Sequence, residues 1–337
     1  MKPLAVSMGD PAGIGLELAA RVWADREALA LPPFFLVSDS DAVQRAAARV
    51  GVAAPELNVA ATIDALSFSE NALTILETPL ALEEEPGAPE PANARAIIGA
   101  IEQGVACVRA GAASALVTLP IAKAPLYGAG FDFPGHTEFI AHLVEADAWP
   151  HARGPVMMLA GPSLKVALVT IHTPLAHVPG LLSIDRIAQT GRVLGQALQR
   201  DFGIAAPRIA LCGLNPHAGE QGEIGREEIE ILDPAAALLR REGWDITDAR
   251  PADSLFHEEA RATYDAVIAI YHDQGLVPLK TLHFWYAANI TLGLPIIRTS
   301  PDHGTGFAIA GKGVARPDSF IAALRAAQEM ATRRATQ

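Results

Sequence analysis

Cysteine is almost missing from this chain. Cys107 and Cys212 are the only two in 337 residues, both in apolar settings and without CxxC spacing. That excludes a disulfide scaffold and leaves buried free thiols in a reducing compartment as the simpler expectation. Long apolar runs are missing too: nothing approaches the roughly 20 residues that span a bilayer. The first ten residues, MKPLAVSMGD, lack the apolar stretch and cleavage site of a signal peptide. The expectation is a soluble, cytoplasmic protein with no membrane partner. Lysine is scarce, occurring only at positions 2, 123, 165, 280 and 312, so arginine supplies most of the positive charge. With a formal net charge of −12, the chain lacks the basic balance of a non-specific nucleic-acid binder. An anionic small substrate is still compatible, because a pocket can be locally positive on an acidic protein.

What is present is a large apolar complement, 50% hydrophobic against 19% charged residues, enough for two α/β lobes or one large domain. Leu4-Ala5-Val6-Ser7 is a short apolar run without polar alternation, as in a strand covered on both faces. It leads into Gly9-Asp10-Pro11-Ala12-Gly13-Ile14-Gly15, a turn expected to feed a helix through Trp23. Similar runs occupy 34–37, 115–119, 156–160, 166–170, 209–212 and 266–270, with helical patterns at 93–110, 183–200 and 227–242. Ser183 is placed to cap the second of these helices. Alternating strand and helix predicts parallel sheets with crossover helices. The segment 83–91, rich in Glu and Pro, predicts an exposed loop, and a last helix is expected over 318–333.

Four of the ten histidines lie at predicted strand ends or in the turns after them: His136, His172, His217 and His272. Ligands in open α/β folds bind beyond the carboxyl ends of the strands, so these side chains can converge although distant in sequence. Three neutral imidazoles with an open position suit a catalytic divalent metal. Without a local signature such as HExxH, an ordinary turn histidine is the competing reading for each.

The stretch Asp302-His303-Gly304-Thr305-Gly306, running on to Gly311-Lys312-Gly313, has small residues that let backbone amides approach a phosphate or an adenosine ribose. Plain turn chemistry is the alternative. No GxGxxG follows the first strand, so the usual dinucleotide fingerprint is missing. Lys280, Asn289 and Arg298 would suit a phosphate or carboxylate, or be surface charges. Asp253 is either a cap or a carboxylate near the site.

Taken in order, MGDPAGIGLE, VTLPIAK, PGHTEFIA, VTIHTPL, LNPHAGE with EIGREE, PADSLF, YHDQGLVPLK and NITLGLPIIRTSPDHGTGFAIAGKG resemble the 4-hydroxythreonine-4-phosphate dehydrogenases across nearly the whole chain. The resemblance implies an α/β fold like that of isocitrate and isopropylmalate dehydrogenases, two α/β/α lobes with a cleft between them. Residues 1–135 with 300–337 would form the first lobe and 136–299 the second. It implies His172, His217 and His272 as ligands of zinc, magnesium or cobalt, one contributed across a homodimer interface. His136, Thr137, Lys280, Asn289 and Arg298 would bind substrate; Lys280, Asp253 and Asp273 are the candidates for proton transfer. His303, Gly304, Thr305 and Gly311 would hold NAD or NADP. The implied reaction oxidises 4-phosphooxy-L-threonine to 2-amino-3-oxo-4-phosphooxybutanoate, which decarboxylates to 3-amino-2-oxopropyl phosphate on the way to pyridoxine 5'-phosphate. Two features depart from the family: the aromatic segment His283-Phe284-Trp285-Tyr286, and Ala308 where relatives commonly carry an acid. Dehydrogenases of 4-phospho-D-erythronate or 4-phosphothreonate are the alternative. They tend to have a histidine where this chain has Leu276. A phosphate acyltransferase on a similar fold would need neither metal nor NAD.

Overall fold

In the computed structural model, which describes residues 2–336, the run Leu4–Ser7 forms strand β1 and is buried at every position. Both faces of such a strand must be covered, which is why it carries no polar alternation. The same holds for β2 (Phe34–Ser38) and β5 (Leu116–Thr118). With β3 (Leu57–Ala60), β4 (Leu73–Glu77) and β12 (Arg298–Pro301), these make the strand order β3-β4-β2-β1-β5-β12. All pairings within this set are parallel. They belong to a first compact unit, which runs to Asp147 and includes Pro295–Thr332. Its helices are α1 (Gly15–Ala24), α2 (Ser40–Arg49), α3 (Ala94–Arg109), α4 (Lys123–Tyr127), α5 (His136–Leu143) and, up to Thr332, α10 (Asp318–Ala335). The turn after β1 needs glycine: Gly9 has φ +69°, and a Cβ there would lie 2.6 Å from the Pro120 carbonyl oxygen.

The sequence places a lobe boundary at 135/136; the compact units divide at 147/148 and 294/295. Helix α5 stays with the first unit because Phe131, Phe133 and Phe139 stack into one aromatic cluster, with ring centroids 5.0–5.7 Å apart.

The segment 83–91 is not simply an exposed loop. Glu84 is buried and accepts from Arg45 Nη2 at 2.5 Å and Arg49 Nη1 at 2.7 Å, both on α2. A carboxylate out of water must be paired, so this acidic run is tied down at its middle residue. Glu84→Ala is expected to cost about 2 kcal/mol, measured as a lower denaturation midpoint with an unchanged m-value.

The second unit, Ala148–Leu294 with the residues from Arg333 onward, has the strand order β11-β6-β7-β10-β8-β9. These are β6 (Val156–Gly161), β7 (Leu164–Leu168), β8 (Arg208–Cys212), β9 (Asp245–Arg250), β10 (Ala266–Ala269) and β11 (Ala288–Leu292). The expectation of purely parallel sheets fails here. β6 is antiparallel to both β7 and β11, because only two residues, Pro162 and Ser163, join β6 to β7. So short a link permits a hairpin and no crossover. Reversing one strand alone leaves β11, β7, β10, β8 and β9 running the same way, with their carboxyl ends on one edge.

Helix α6 (Ile184–Arg200) starts as expected: Ser183 Oγ accepts from the Arg186 amide at 3.1 Å, and Ile187, Val193, Leu194 and Leu198 are buried. The pattern over 227–242 divides instead into a π-helical turn, Glu228–Leu232, and α7 (Asp233–Arg241). Pro234 has no N–H to give the Glu230 carbonyl, so the regular ladder cannot run through this point. A short α8 (Glu258–Arg261) and α9 (His272–His283) complete the unit. Leu276 and Leu279 of α9 pack with Leu159, Val166 and Leu168 in its core. Both cysteines are buried thiols, pushed by burial to about 11 for Cys107 and about 12 for Cys212. No helix among the described residues is long and apolar enough to cross a membrane.

Candidate active site

In the second unit, three turns follow neighbouring parallel strands, and each carries a histidine: β7 is followed by His172, β8 by His217 and β10 by His272. β10 pairs with both β7 and β8, so the three arise side by side at one sheet edge. The His172 and His272 rings have centroids 5.7 Å apart. Two imidazoles on one ion at about 2.0–2.1 Å, with tetrahedral angles, have centroids roughly 5 Å apart, and further apart as the angle opens. This pair therefore fits a shared divalent ion. His272 Nδ1 lies 2.7 Å from Asp273 Oδ1, which fixes the tautomer that leaves Nε2 with its lone pair.

His217 stands apart from that pair. It lines a cavity of about 310 Å³ with Asn215, Asp253, Tyr271 and Gln274. Among the described residues, no group of three His, Cys, Asp or Glu side chains is gathered to hold a metal. The three-histidine set is not assembled within one chain.

The backbone at His217 is unusual. His217, Ala218, Gly219, Glu220 and Gln221 all have φ between 46° and 80°, a left-handed turn. Left-handed geometry costs roughly 1–2 kcal/mol per non-glycine residue, so the four here carry about 4–8 kcal/mol that neighbouring contacts must offset. The contacts are visible. Asn215 donates its backbone N–H to Glu228 Oε1 at 2.7 Å, and its Nδ2 to Glu227 Oε2 at 2.7 Å and Glu228 Oε2 at 2.9 Å. The bond from Asn215 also holds the Glu227 carboxyl below its usual value. Gln274, two residues after His272, accepts from the Ile270 amide and donates to the Gly213 carbonyl at 2.6 Å. It thereby ties the His217 loop to the start of α9.

Lys280 lies two turns along α9 from His272, its Nζ 5.7 Å from the Phe284 ring centroid. Asn289 is on β11, and its Oδ1 is buried without a hydrogen-bond partner. The aromatic segment is anchored at one end: His283 Nε2 accepts the Ser163 amide at 3.3 Å and lies 2.8 Å from Ser163 Oγ. Burial, and then the Arg261 charge, hold His283 below the usual imidazole value. Phe284, Trp285 and Tyr286 are exposed.

The first unit holds a second group. Arg298, at the start of β12, is buried and donates Nη2 and Nε to Thr118 Oγ1 at 2.7 and 3.2 Å. Burial pulls its guanidinium down to about 10, opposed by Glu138. His136 and Thr137 open α5. Burial, then the Arg298 charge, drive His136 well below the ordinary imidazole range. His136 is thus neutral near pH 7, with an Nε2 that is buried and has no hydrogen-bond partner. A guanidinium that is still charged, beside a neutral imidazole lacking a partner, has the chemistry of an anion site.

The glycine-rich loop, also in the first unit, folds onto α1. The Gly311 amide donates to buried Glu17 Oε2 at 2.7 Å, and the Thr305 carbonyl accepts from Ile14. His303 Nδ1 rests 2.9 Å from the Gly304 carbonyl. The Gly311 amide is therefore already engaged, and a Cβ at Gly304 would meet nothing within 4 Å. Gly306, with φ +64° and Ile14 2.9 Å from its would-be Cβ, and Gly311, with φ +73° and Pro86 3.0 Å from its would-be Cβ, are required as glycine by their surroundings. Asn215, Glu228, Gln274 and Thr118 were not singled out from the sequence, although each stands within a segment quoted above.

The sequence matches, over residues 30–327, the family described as pyridoxal phosphate biosynthetic protein PdxA. A protein of Caulobacter vibrioides named 4-hydroxythreonine-4-phosphate dehydrogenase is 52% identical over 335 residues, covering 99% of this chain and 98% of that protein. One of the same name from Maricaulis maris is 53% identical over 342 residues, with 99% of each covered. The crystal structure of 4-hydroxythreonine-4-phosphate dehydrogenase from Klebsiella pneumoniae superposes with a TM-score of 0.87 at 37% identity, covering 98% of this chain and 100% of that one.

Proposed function

The chain belongs to the pyridoxal phosphate biosynthetic protein PdxA family, and from that premise we propose that it oxidises 4-phosphooxy-L-threonine, with NAD or NADP as acceptor and a divalent metal as cofactor. The observation that carries the reading is the His172–His272 pair at the ends of adjacent strands, 5.7 Å between ring centroids. His172, His272 and His217, one of them from the partner subunit of a homodimer, would hold zinc, magnesium or cobalt, whose Lewis acidity makes an alcohol proton easier to remove. A nicotinamide dinucleotide held by the 302–313 loop, at His303, Gly304 and Thr305, supplies the hydride acceptor.

The chain's own residues do the rest. Arg298 and Thr137 bind the phosphate, with His136 offering Nε2 as a neutral partner, so that the charge match comes from Arg298. Asn289 Oδ1, buried and without a partner, accepts from a substrate N–H or O–H. Asp273 is committed to His272, which leaves proton transfer to Lys280 and Asp253. The alcohol loses its O–H proton to one of these and its C–H as hydride, giving a β-keto acid. The C–C bond to the carboxylate then breaks. Its electron pair moves toward the new carbonyl, carbon dioxide leaves, and 3-amino-2-oxopropyl phosphate forms after protonation.

The test follows NADH formation with NAD, a divalent metal and either 4-phosphooxy-L-threonine or 4-phospho-D-erythronate, with and without a chelator. Chelator-sensitive turnover of the phosphothreonine alone is expected. Turnover of the sugar acid alone would sink the substrate assignment, and turnover indifferent to chelator would sink the role of the metal.

A further inference from the structure

A histidine on a strained turn can serve as a ligand only if something holds the turn in place. We propose that Glu228, acting through Asn215, is a positioning residue that keeps the left-handed turn 217–221 folded and so presents His217 to the metal; this rests on His217 being a ligand. Three observations converge on it. Glu228 is 2% exposed, and both its oxygens receive hydrogen bonds from Asn215, two residues before His217. Around it the chain has glycine wherever a side chain would collide. A Cβ at Gly219 would lie 2.8 Å from Glu228 Oε2 and 2.7 Å from the Gly225 carbonyl, and one at Gly225 would lie 2.2 Å from Asn215 Nδ2. Glu228 also opens the π-helical turn, a distortion that recurs at functional sites. A carboxylate buried only to fill space would not need two donors from one asparagine. Nor would a stability-driven sequence keep four non-glycine residues in left-handed geometry.

The experiment uses the full chain stripped of metal and titrated with Co(II), reading affinity from the visible d–d bands. Glu228→Gln keeps shape and the acceptor for the Asn215 amide, but turns an N–H₂ toward Asn215 Nδ2. The expected result is Co(II) affinity weakened about 10- to 100-fold, as for other groups that orient a ligand, with shifted d–d bands. Asn215→Asp sets three carboxylates together and should weaken binding at least as much. Combining the two restores a donor–acceptor pair in the opposite sense, and should recover part of the affinity. His217→Ala separates the two ideas. If it leaves affinity unchanged, His217 is not a ligand and the underlying reading fails. If it weakens binding while Glu228→Gln matches wild type in affinity and spectrum, the positioning role is overturned. Should Glu228→Gln fail to fold, the double variant decides: no recovery over Asn215→Asp overturns the proposal.

Discussion

Arg298→Met is expected to lower kcat/KM for the phosphorylated substrate by about 10²- to 10³-fold, mostly through KM, without loss of folding stability. The loss follows from removing one half of a desolvated charge pair, which typically costs 2–5 kcal/mol of binding. The unusual part is the stability. Burial lowers the Arg298 pKa to about 10, so near pH 7 the group is protonated both folded and unfolded. The depressed value means that burying this charge costs more than Glu138 returns, a cost relieved only above about pH 10. An apolar side chain of similar length removes the cost. Arg298→Lys keeps a charge but lacks the fork that spans Thr118 and a phosphate, and should recover little activity. Steady-state kinetics and a melting curve on the same preparation check both halves. An unchanged KM with a lowered melting temperature would make Arg298 a structural residue and remove the anion site.

His172→Ala is expected to abolish turnover, a fall of about 10³-fold or more, and to lower bound metal per chain. His272→Ala should do the same. Asp273→Asn should cost only about 10- to 100-fold, because it perturbs the orientation of His272 and not a ligand itself. Metal content measured beside activity gives the check. A His172→Ala protein with normal metal content and normal turnover would dissociate the pair from catalysis. The order of severity matters as much as the totals: a structural account predicts that the exposed His172 is tolerated better than the half-buried His272, whereas a shared ion predicts equal loss.

Much of the fold was legible because apolar runs covered on both faces have no other stable use. Strands β1, β2, β5, β6, β7, β8 and β10 all came from such runs. β9, with the sequence DITDAR, is partly exposed along its length at the sheet edge, and gave no signal. β12, RTSP, is wholly buried despite its polarity; Arg298 there donates to Thr118 Oγ1 and Thr299 Oγ1 donates to the Ala323 carbonyl. The reversal of β6 could not be seen, since an apolar run is the same in either direction and only the two-residue link betrays it. The placement of His172, His217 and His272 was legible because each follows an apolar run that reads as a strand. The left-handed turn was not: in PHAGEQG only Gly219 and Gly222 announce positive φ, and the rest is imposed from outside by Asn215 and Glu228. Buried Glu84 was hidden for the same reason, since its partners lie on α2, 35 and 39 residues away. Leu276 is 6% exposed in the core of its unit, where a polar side chain would need a buried hydrogen-bond partner.

The reversed strand also bears on how the second unit comes together. Every parallel pairing there requires a long segment to be traversed before its partner arrives, and closing such loops costs entropy before any contact repays it. The β6–β7 pairing requires only Pro162 and Ser163 to turn, with Gly161 opposite Leu164 and Met158 opposite Ala167. Hairpins of this kind close in microseconds. They offer the chain an early template whose outer edges then accept β10 on one side and β11 on the other. The single strand that breaks the parallel rule gives the nascent polypeptide a place to begin.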